Sequence, residues 1–296
     1  MSKIIIAGGT GFLGIKLTRF FQKSGNEVII LTRNPKAENH VYWDGKNLGD
    51  WCQEMEESDV LINLAGKSVD CRYTDANRQA ILNSRVDSTN VLQEAMMKLK
   101  TPPRVWLNAS SATIYMHAEN THMTESTGII GDDFSMNVCK EWESAFFEKP
   151  IAKTRKVALR TSIVMGNEGG AFPKLKMITR LGLGGMVARG QQQTSWIHID
   201  DFCRAVAFVI DHDKFEGAVN ITAPNPIRNR VFMKTMRTTF NVPFGVNQPK
   251  ALLEIGAILI GTETELLLKS RNVYPERLLN AGFFFIYEHF EDAARA

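Results

Sequence analysis

A glycine-rich turn near the amino terminus constrains the fold of this chain more than any other feature of its sequence. Lys3 to Ala7 form a short, β-branched apolar run, and Gly8, Gly11 and Gly14 follow it at regular spacing. Such a run predicts a strand that is buried on both faces. The stretch 11–24 then has apolar residues at helical spacing and ends before another glycine. A strand, a glycine turn and a helix in this order predict a phosphate-binding unit.

Further strands and helices alternate along the first half of the chain. Strands are predicted at Glu27–Thr32, Val60–Asn63 and Val105–Ala109, with helices between them at Trp51–Glu56 and Asp75–Lys98. This alternation predicts a parallel sheet that is covered by helices on both faces, the Rossmann arrangement.

The pattern changes after about Gly166, where glycines and prolines become frequent. Lys156–Val164 and Gly217–Thr222 still have the composition of strands that return to the sheet. We therefore predict an α/β fold with a doubly wound parallel sheet and a smaller, mostly helical substrate lobe. The sheet domain would comprise residues 1–165 and 196–222, and the lobe residues 166–195 and 223–296.

Composition and charge exclude several classes of partner. The formal net charge of +3 is spread along the chain and provides no basic patch for nucleic acid or a membrane surface. The four cysteines are far apart without a CxxC pair, which argues against a zinc site or a disulfide framework and favours a cytoplasmic setting. Glutamates interrupt the apolar stretch 251–268, so we expect no membrane span. A small-molecule substrate is the expected partner, and a homodimer is left open.

The glycine turn predicts a dinucleotide, and the residues about twenty positions later select which one. Backbone N–H groups at a helix N-terminus bind a pyrophosphate, whose approach a Cβ in the turn would block. Without further context, a tight turn with no ligand is the alternative. The second strand ends in Thr32-Arg33-Asn34, where NAD proteins carry an acid. Because a guanidinium pairs with a 2′-phosphate that an acid would repel, we predict NADP, the alternative being that Arg33 is only a solvated loop residue.

Several short motifs extend the pattern over nearly the whole chain. They are GGTGFLG at 8–14, VYWD at 41–44, NLAG at 63–66, NSRV at 83–86, SSATIY at 110–115, WE at 142–143, SWIHIDD at 195–201, APNP at 223–226, YPERL at 274–278 and AGF at 281–283. Together they resemble the atypical and extended short-chain dehydrogenases/reductases, and in particular the group called epimerase family proteins, which has a small C-terminal domain.

The resemblance implies which residues contact the cofactor. It places the loop 63–66 under the adenine side of the dinucleotide and the segment around Arg85 beside the cofactor. On spacing alone, Arg85 is equally well a surface arginine of the long helix. The expected contacts are Gly8, Thr10, Gly11, Phe12, Leu13, Thr32, Arg33, Leu64, Ala65, Gly66, Arg85, Ser110 and Val164.

The resemblance also implies catalytic residues, one of which is Ser111. Its hydroxyl would polarise a substrate carbonyl, and capping of its own strand end is the alternative. The superfamily normally has a YxxxK motif, in which the tyrosine is the general acid/base and the lysine lowers its pKa and holds the nicotinamide ribose. Alignment through Trp142-Glu143 puts Ser135 and Cys139 at those two positions, and neither can substitute. Tyr115 is then the candidate phenol, with packing at a strand end as the alternative.

These observations leave two main functions open, and a nucleotide-sugar epimerase proper is the least favoured because of Ser135 and Cys139. The first is an NADP(H)-dependent oxidoreductase or epimerase that acts on a small carbonyl or hydroxyl substrate, with the proton carried by Tyr115 or a water molecule. The second is a non-catalytic NADPH-binding or redox-sensing module, because such a protein would combine an intact cofactor loop with a lost YxxxK motif.

His117 and His122 do not have metal-ligand spacing. His198 is expected to be packed or hydrogen-bonded on a strand with Trp196 and Asp200.

Overall fold

The computed structural model describes residues 1–249 and 268–296, and its largest element is a parallel sheet. The strands are β1 Lys3–Ala7, β2 Glu27–Thr32, β3 His40–Tyr42, β4 Val60–Asn63, β5 Val105–Ser111, β6 Arg155–Thr161, β7 Ile163–Met165, β8 Gln193–Thr194, β9 Trp196–His198, β10 Gly217–Ile221 and β11 Ile227–Arg228. Seven of them form the main sheet in the order β10-β6-β5-β4-β1-β2-β3. Every neighbouring pair in it is parallel. The strand order therefore reverses at β1, between β4 and β2.

Helices cover both faces of this sheet. They are α1 Phe12–Lys23, α2 Asp75–Lys98, α3 Phe134–Phe147, α4 Phe172–Ile178, α5 Ile199–Asp211, α6 Asn229–Thr239, α7 Glu276–Asn280 and α8 Phe290–Arg295. Side chains alternate along the strands, so Ile4 and Ile6 of β1 pack with α1 and α5, whereas Ile5 and Ala7 pack in the cluster that includes α2 and α3. The predicted doubly wound sheet is confirmed.

The smaller lobe has a core of its own. Phe172 of α4, Met236 of α6 and Phe290 of α8 are buried in one apolar cluster, with Phe290 stacked on Phe232. The last part of the chain also contributes to the large domain, because Leu278 lies in the core beneath the main sheet. The chain after residue 223 thus contributes to both apolar clusters.

Three predicted elements differ from the structure. The helical stretch predicted near Trp51–Glu56 is a 3₁₀ helix that spans Asp50–Met55. The single strand predicted at Lys156–Val164 is two strands, because the Ser162 N–H bonds to Ile221 of β10 and the next residues pair with β9 instead. The predicted alternation through Asp200 ends at His198, since Asp200 lies in the first turn of α5.

None of the helices within residues 1–249 and 268–296 is long and apolar enough to cross a membrane. Residues 251–267, which make up nearly all of the apolar stretch singled out in the sequence, lie outside the described residues.

Candidate functional site

The glycine turn forms an open cradle at the carboxyl end of β1. Gly8 has φ +74°, and a Cβ there would lie 2.9 Å from the Ala65 backbone, while a Cβ on Gly14 would overlap the Gly9 carbonyl. A Cβ on Gly11 would meet no atom within 4 Å. Gly11 is also the N-cap of α1 and provides no side-chain cap. The first N–H groups of α1 therefore face open space, as a pyrophosphate requires.

Arg33 lies at the carboxyl end of the neighbouring strand β2. Its side chain is exposed and makes no hydrogen bond or ion pair to residues 1–249 or 268–296. Thr32 beside it is buried, with its hydroxyl oxygen accepting the Asn34 N–H at 3.3 Å. The guanidinium is therefore available to an anion, whereas Thr32 fixes the turn that presents it.

The loop after β4 borders the cradle on the other side. Buried Asn63 donates to Asn108 Oδ1 at 2.8 Å and accepts the Ala65 N–H at 3.0 Å. The Leu64 N–H bonds to the Ala7 carbonyl of β1 at 2.8 Å. These bonds hold the predicted residues Leu64, Ala65 and Gly66 beside the glycine turn.

Arg85 of α2 reaches this loop. Its Nη1 donates to the Lys67 carbonyl at 3.0 Å and to the Ile81 carbonyl at 2.9 Å, and its Cζ lies 5.0 Å from the Trp142 ring centre. Arg85 Cζ would be 3.2 Å from a Cβ on Gly66. The half-buried side chain therefore lies between the β4 loop and α3, not on the outer surface of the long helix.

Ser111 ends β5 at the same edge of the sheet. Its oxygen accepts the Thr113 N–H at 3.1 Å, and the side chain is half-buried. This is the capping bond weighed as the alternative. It uses only the acceptor side of the hydroxyl, and the proton has no partner among the described parts of the chain. Ser111 is therefore able to donate to a substrate oxygen as well.

Comparison with known proteins assigns the chain to a family. Residues 4–132 match the NAD dependent epimerase/dehydratase family, and residues 248–296 match a domain of unknown function (DUF1731). An epimerase family protein of Staphylococcus epidermidis is 32% identical over 99% of this chain and 98% of its own length. The chain therefore belongs to the epimerase family proteins. An epimerase family protein of Bacillus subtilis is 31% identical over 98% of this chain and 96% of its own.

Solved structures extend the likeness to the whole fold. The human epimerase family protein SDR39U1, solved with NADPH, has a TM-score of 0.89 and 28% identity, with 99% of this chain and 98% of that chain covered. A nucleoside-diphosphate sugar epimerase of Corynebacterium glutamicum has a TM-score of 0.81 and 29% identity over 99% of this chain and 57% of its own. The family thus includes a structure that holds a nicotinamide dinucleotide.

Helix α3 carries the positions where the superfamily has its tyrosine and lysine. Ser135 is buried and bonds to Asp133 Oδ1 at 3.2 Å. Burial raises the pKa of Cys139 to about 12, with Glu143 acting in the same direction and the cations of Arg85, Arg271 and Arg160 opposing it. The thiol therefore stays protonated at neutral pH and offers neither a nucleophile nor a cation.

Tyr115 does not lie at the open edge of the sheet. It is 1% exposed, donates to Asn220 Oδ1 at 2.9 Å and accepts from Arg160 Nη1 at 2.8 Å. Burial raises the pKa of its phenol. The assignment of Tyr115 as proton donor is corrected, because both bonding directions of its hydroxyl are used inside the core.

A largely buried ion pair lies beside the sheet next to Ser111, and sequence reasoning missed it. Arg160 Nε and Nη2 lie 2.9 and 2.7 Å from the two carboxylate oxygens of Glu143. The Ser110 hydroxyl donates to the same carboxylate at 2.6 Å. The expected contact of Ser110 with the cofactor stays a prediction, and its hydroxyl proton is used by Glu143. The signal was a charged residue within the apolar strand β6, since a buried charge requires a partner.

The remaining predicted contacts have different environments. Thr10 is exposed, Leu13 is half-buried, and Phe12 packs against the glycines at 166–170. Val164 was expected at the cofactor; its side chain is 8% exposed and lies in the main core, and the expected contact stays a prediction.

The three histidines singled out in the sequence take part in internal contacts. His198 is buried, caps α5 through the Asp200 N–H and packs on Tyr287 with ring centres 4.0 Å apart. The ring of His117 accepts the Ser270 N–H at 3.0 Å, and His122 Nδ1 lies 2.7 Å from Asn272 Oδ1.

Proposed function

We propose that this protein binds NADP(H) across the carboxyl edge of its sheet. The first turn of α1 would hold the pyrophosphate, and Arg33 the 2′-phosphate. The observation that carries the proposal is the exposed guanidinium of Arg33, unpartnered within the described residues, beside a glycine turn that is open at Gly11. The NADPH bound by the related human protein supports this choice of cofactor.

We further propose an oxidoreductase or epimerase activity on a small carbonyl or hydroxyl compound. The bound cofactor supplies or accepts a hydride. Ser111 donates a hydrogen bond to the substrate oxygen, and the Thr113 N–H that it accepts polarises its hydroxyl. Water carries the proton, because the phenol of Tyr115 is engaged in the core.

Cofactor binding and activity can be tested separately. We expect NADPH fluorescence to report a saturable complex, and a panel of aldehydes, quinones and nucleotide sugars to include a substrate. Ser111→Ala should then lower kcat/KM by about 100-fold, as the loss of one hydrogen bond to the reacting oxygen does elsewhere. The matched control is Ser162→Ala, because the Ser162 hydroxyl donates to the Ile221 carbonyl instead.

A non-catalytic NADPH-binding module is the second candidate. It is favoured by α3, where the buried Ser135 and the protonated thiol of Cys139 replace the tyrosine and lysine of the superfamily. Tight NADPH binding with no hydride transfer to any compound of the panel supports this candidate. If Ser111→Ala leaves a detected activity unchanged, Ser111 does not act on the substrate. The proposal that the chain binds NADP(H) is then unaffected.

A further inference from the structure

The segment that follows β7 contacts two separate borders of the proposed cofactor crevice. Its glycines at 166, 169 and 170 lie against Phe12, the first residue of α1. Further along, Lys174 of α4 forms an ion pair with Asp70, which lies in the loop between β4 and α2. Residues 166–174, called the strap below, therefore connect the start of α1 with the loop that leads to α2.

The strap crosses the edge of the sheet at which the crevice opens. Leu17 of α1 lies in the apolar cluster on one face of the main sheet, and Leu92 of α2 lies in the cluster on the other face. The crevice opens at the carboxyl edge, between the glycine turn after β1 and the loop after β4. A segment that contacts both the start of α1 and the loop before α2 spans this edge. The strap and its ion pair therefore lie across the crevice.

The end of the strap at α1 is firmly anchored. A Cβ on Gly169 would lie 2.7 Å from Phe12 Cδ2, so the close packing on the phenyl ring requires glycine. The Glu168 carboxylate lies 2.6 Å from Lys16 Nζ and 3.3 Å from Arg19 Nη1. Phe12 itself packs against the main apolar core. Two cations and an apolar contact thus fix this end.

The end of the strap at the β4 loop is held by a weaker contact. The Lys174 and Asp70 side chains are 63% and 46% exposed. An exposed ion pair contributes little free energy and is screened by salt. Gly170, between the anchored end and this pair, has φ +70°, which glycine adopts without strain. A Cβ on Gly11 would meet no atom within 4 Å, so the strap does not fill the space that a pyrophosphate would take.

We propose that the Asp70–Lys174 pair is a latch that opens before a dinucleotide enters or leaves, with the strap turning at Gly170. The inference rests on the proposed function. The latch joins two parts of the protein and holds the strap over the free and the occupied crevice alike. Its loss therefore speeds binding and release equally and leaves the affinity unchanged. The competing role is that of an ordinary surface ion pair, which has no effect on exchange.

The rates of NADPH binding and release separate these roles. Stopped-flow fluorescence measures both rate constants for the full chain, for Lys174→Met, for Asp70→Asn and for the double variant Asp70→Lys/Lys174→Asp. Lys98→Met is the matched control, because it removes an exposed ion pair with Glu94 at the end of α2 farthest from the β4 loop.

We expect Lys174→Met and Asp70→Asn to raise both rate constants about threefold, which is the size of effect that an exposed ion pair can have, while Kd stays within about 1.5-fold. The double variant exchanges the two charges and should restore the slower rates. Lys98→Met should leave both rate constants unchanged. In about 1 M salt, the rates of the unmodified chain should approach those of Lys174→Met, because the salt screens the latch.

Unchanged rates in both single variants would identify an ordinary surface pair and overturn the inference. Faster release without faster binding, and so a weaker Kd, would show that the pair acts on the cofactor itself and would overturn it too. If the unmodified chain does not bind NADPH, the proposed function is wrong and the latch falls with it. A melting temperature for each variant shows whether a changed rate reflects unfolding. Asp70→Asn keeps the inference testable if Lys174→Met unfolds, because it retains the shape of the side chain.

Discussion

Two arginines at one edge of the sheet have opposite environments. Arg33 follows β2, is exposed and makes no hydrogen bond or ion pair to the described residues. Arg160, near the end of β6, is held by both oxygens of Glu143 and by Tyr115, and its side chain is 12% exposed. The first lies beside an open glycine turn and the second inside a closed hydrogen-bond network. The β1–β2 side is therefore open to a ligand, whereas the Arg160 network on the β5–β6 side is closed.

This difference separates the proposed cofactor site from the closed hydrogen-bond network in this chain. The glycine turn retains the features that a dinucleotide needs. On the other side, the phenol of Tyr115 and the thiol of Cys139 are both buried. Binding and chemistry are thus expected to respond to different substitutions.

Disruption of the hydrogen-bond network around Arg160 should have the largest effect on the stability of the fold. Arg160→Met leaves the Glu143 carboxylate, whose side chain is only 12% exposed, without its cation, and such a loss costs up to about 3–5 kcal/mol of stability. Denaturant unfolding should show this decrease. Lys174→Met removes a surface pair with Asp70, both partners being about half-exposed, and should cost less than about 1 kcal/mol. Equal costs would show that the network does not stabilise the fold.

A substitution in the glycine turn should weaken NADPH binding and leave the fold intact. Gly11→Val places a Cβ where no protein atom lies within 4 Å, so the fold should be retained, with a loss of about 1 kcal/mol because valine is a poor N-cap residue. The side chain would occupy the pyrophosphate position, and NADPH affinity should fall about 100-fold, as when a favourable contact becomes a clash.

Gly25→Ala is a control in which stability, rather than NADPH affinity, should change. Gly25 has φ +79° and also faces open space. Alanine there should cost about 1 kcal/mol of stability through backbone strain, with NADPH affinity unchanged. Normal NADPH binding by the Gly11→Val protein would show that the glycine turn does not hold the cofactor.

Cysteine labelling tests whether Cys139 of α3 is buried and protonated. Burial raises the pKa of Cys139 and of Cys203 to about 12. At pH 8 only about 10⁻⁴ of each thiol is ionised, so iodoacetamide should modify the half-buried Cys52 and Cys71 first. Peptide mass spectrometry follows each site. Modification of Cys139 as fast as Cys52 in the folded chain would contradict its burial.

The same pKa shifts predict an alkaline loss of stability. A thiol whose pKa is raised in the folded state keeps its proton there while the unfolded chain releases it. The stabilisation is complete below pH 9 and is lost as the pH rises from 9 toward 12. The free energy of unfolding should therefore fall over this range, and Cys139→Ala should reduce the slope.

The sequence predicts the sheet well because its strands are buried on both faces. β1, β2, β4 and α2 have the predicted bounds, since continuous β-branched runs and a long helical pattern leave little choice. The turn from β6 into β7 was missed, because it depends on a bond between Ser162 and Ile221, which are distant in sequence. Long-range pairing of this kind leaves no local pattern.

The candidate site was predictable only where it depends on the backbone. The glycine turn follows from steric limits that any sequence must obey. The roles of Tyr115 and Ser110 depend on which partners the fold brings to them. Glu143 and Arg160 are far apart in sequence, and their pairing removes both hydroxyls from the open edge.

The most direct measurement compares the NADPH and NADH dissociation constants of the unmodified chain with those of Arg33→Gln. If the exposed guanidinium binds the 2′-phosphate, the unmodified chain prefers NADPH, and Arg33→Gln weakens NADPH about tenfold or more while NADH is unaffected. Equal weakening of both dinucleotides, or no preference in the unmodified chain, would contradict the assignment of Arg33 to the 2′-phosphate.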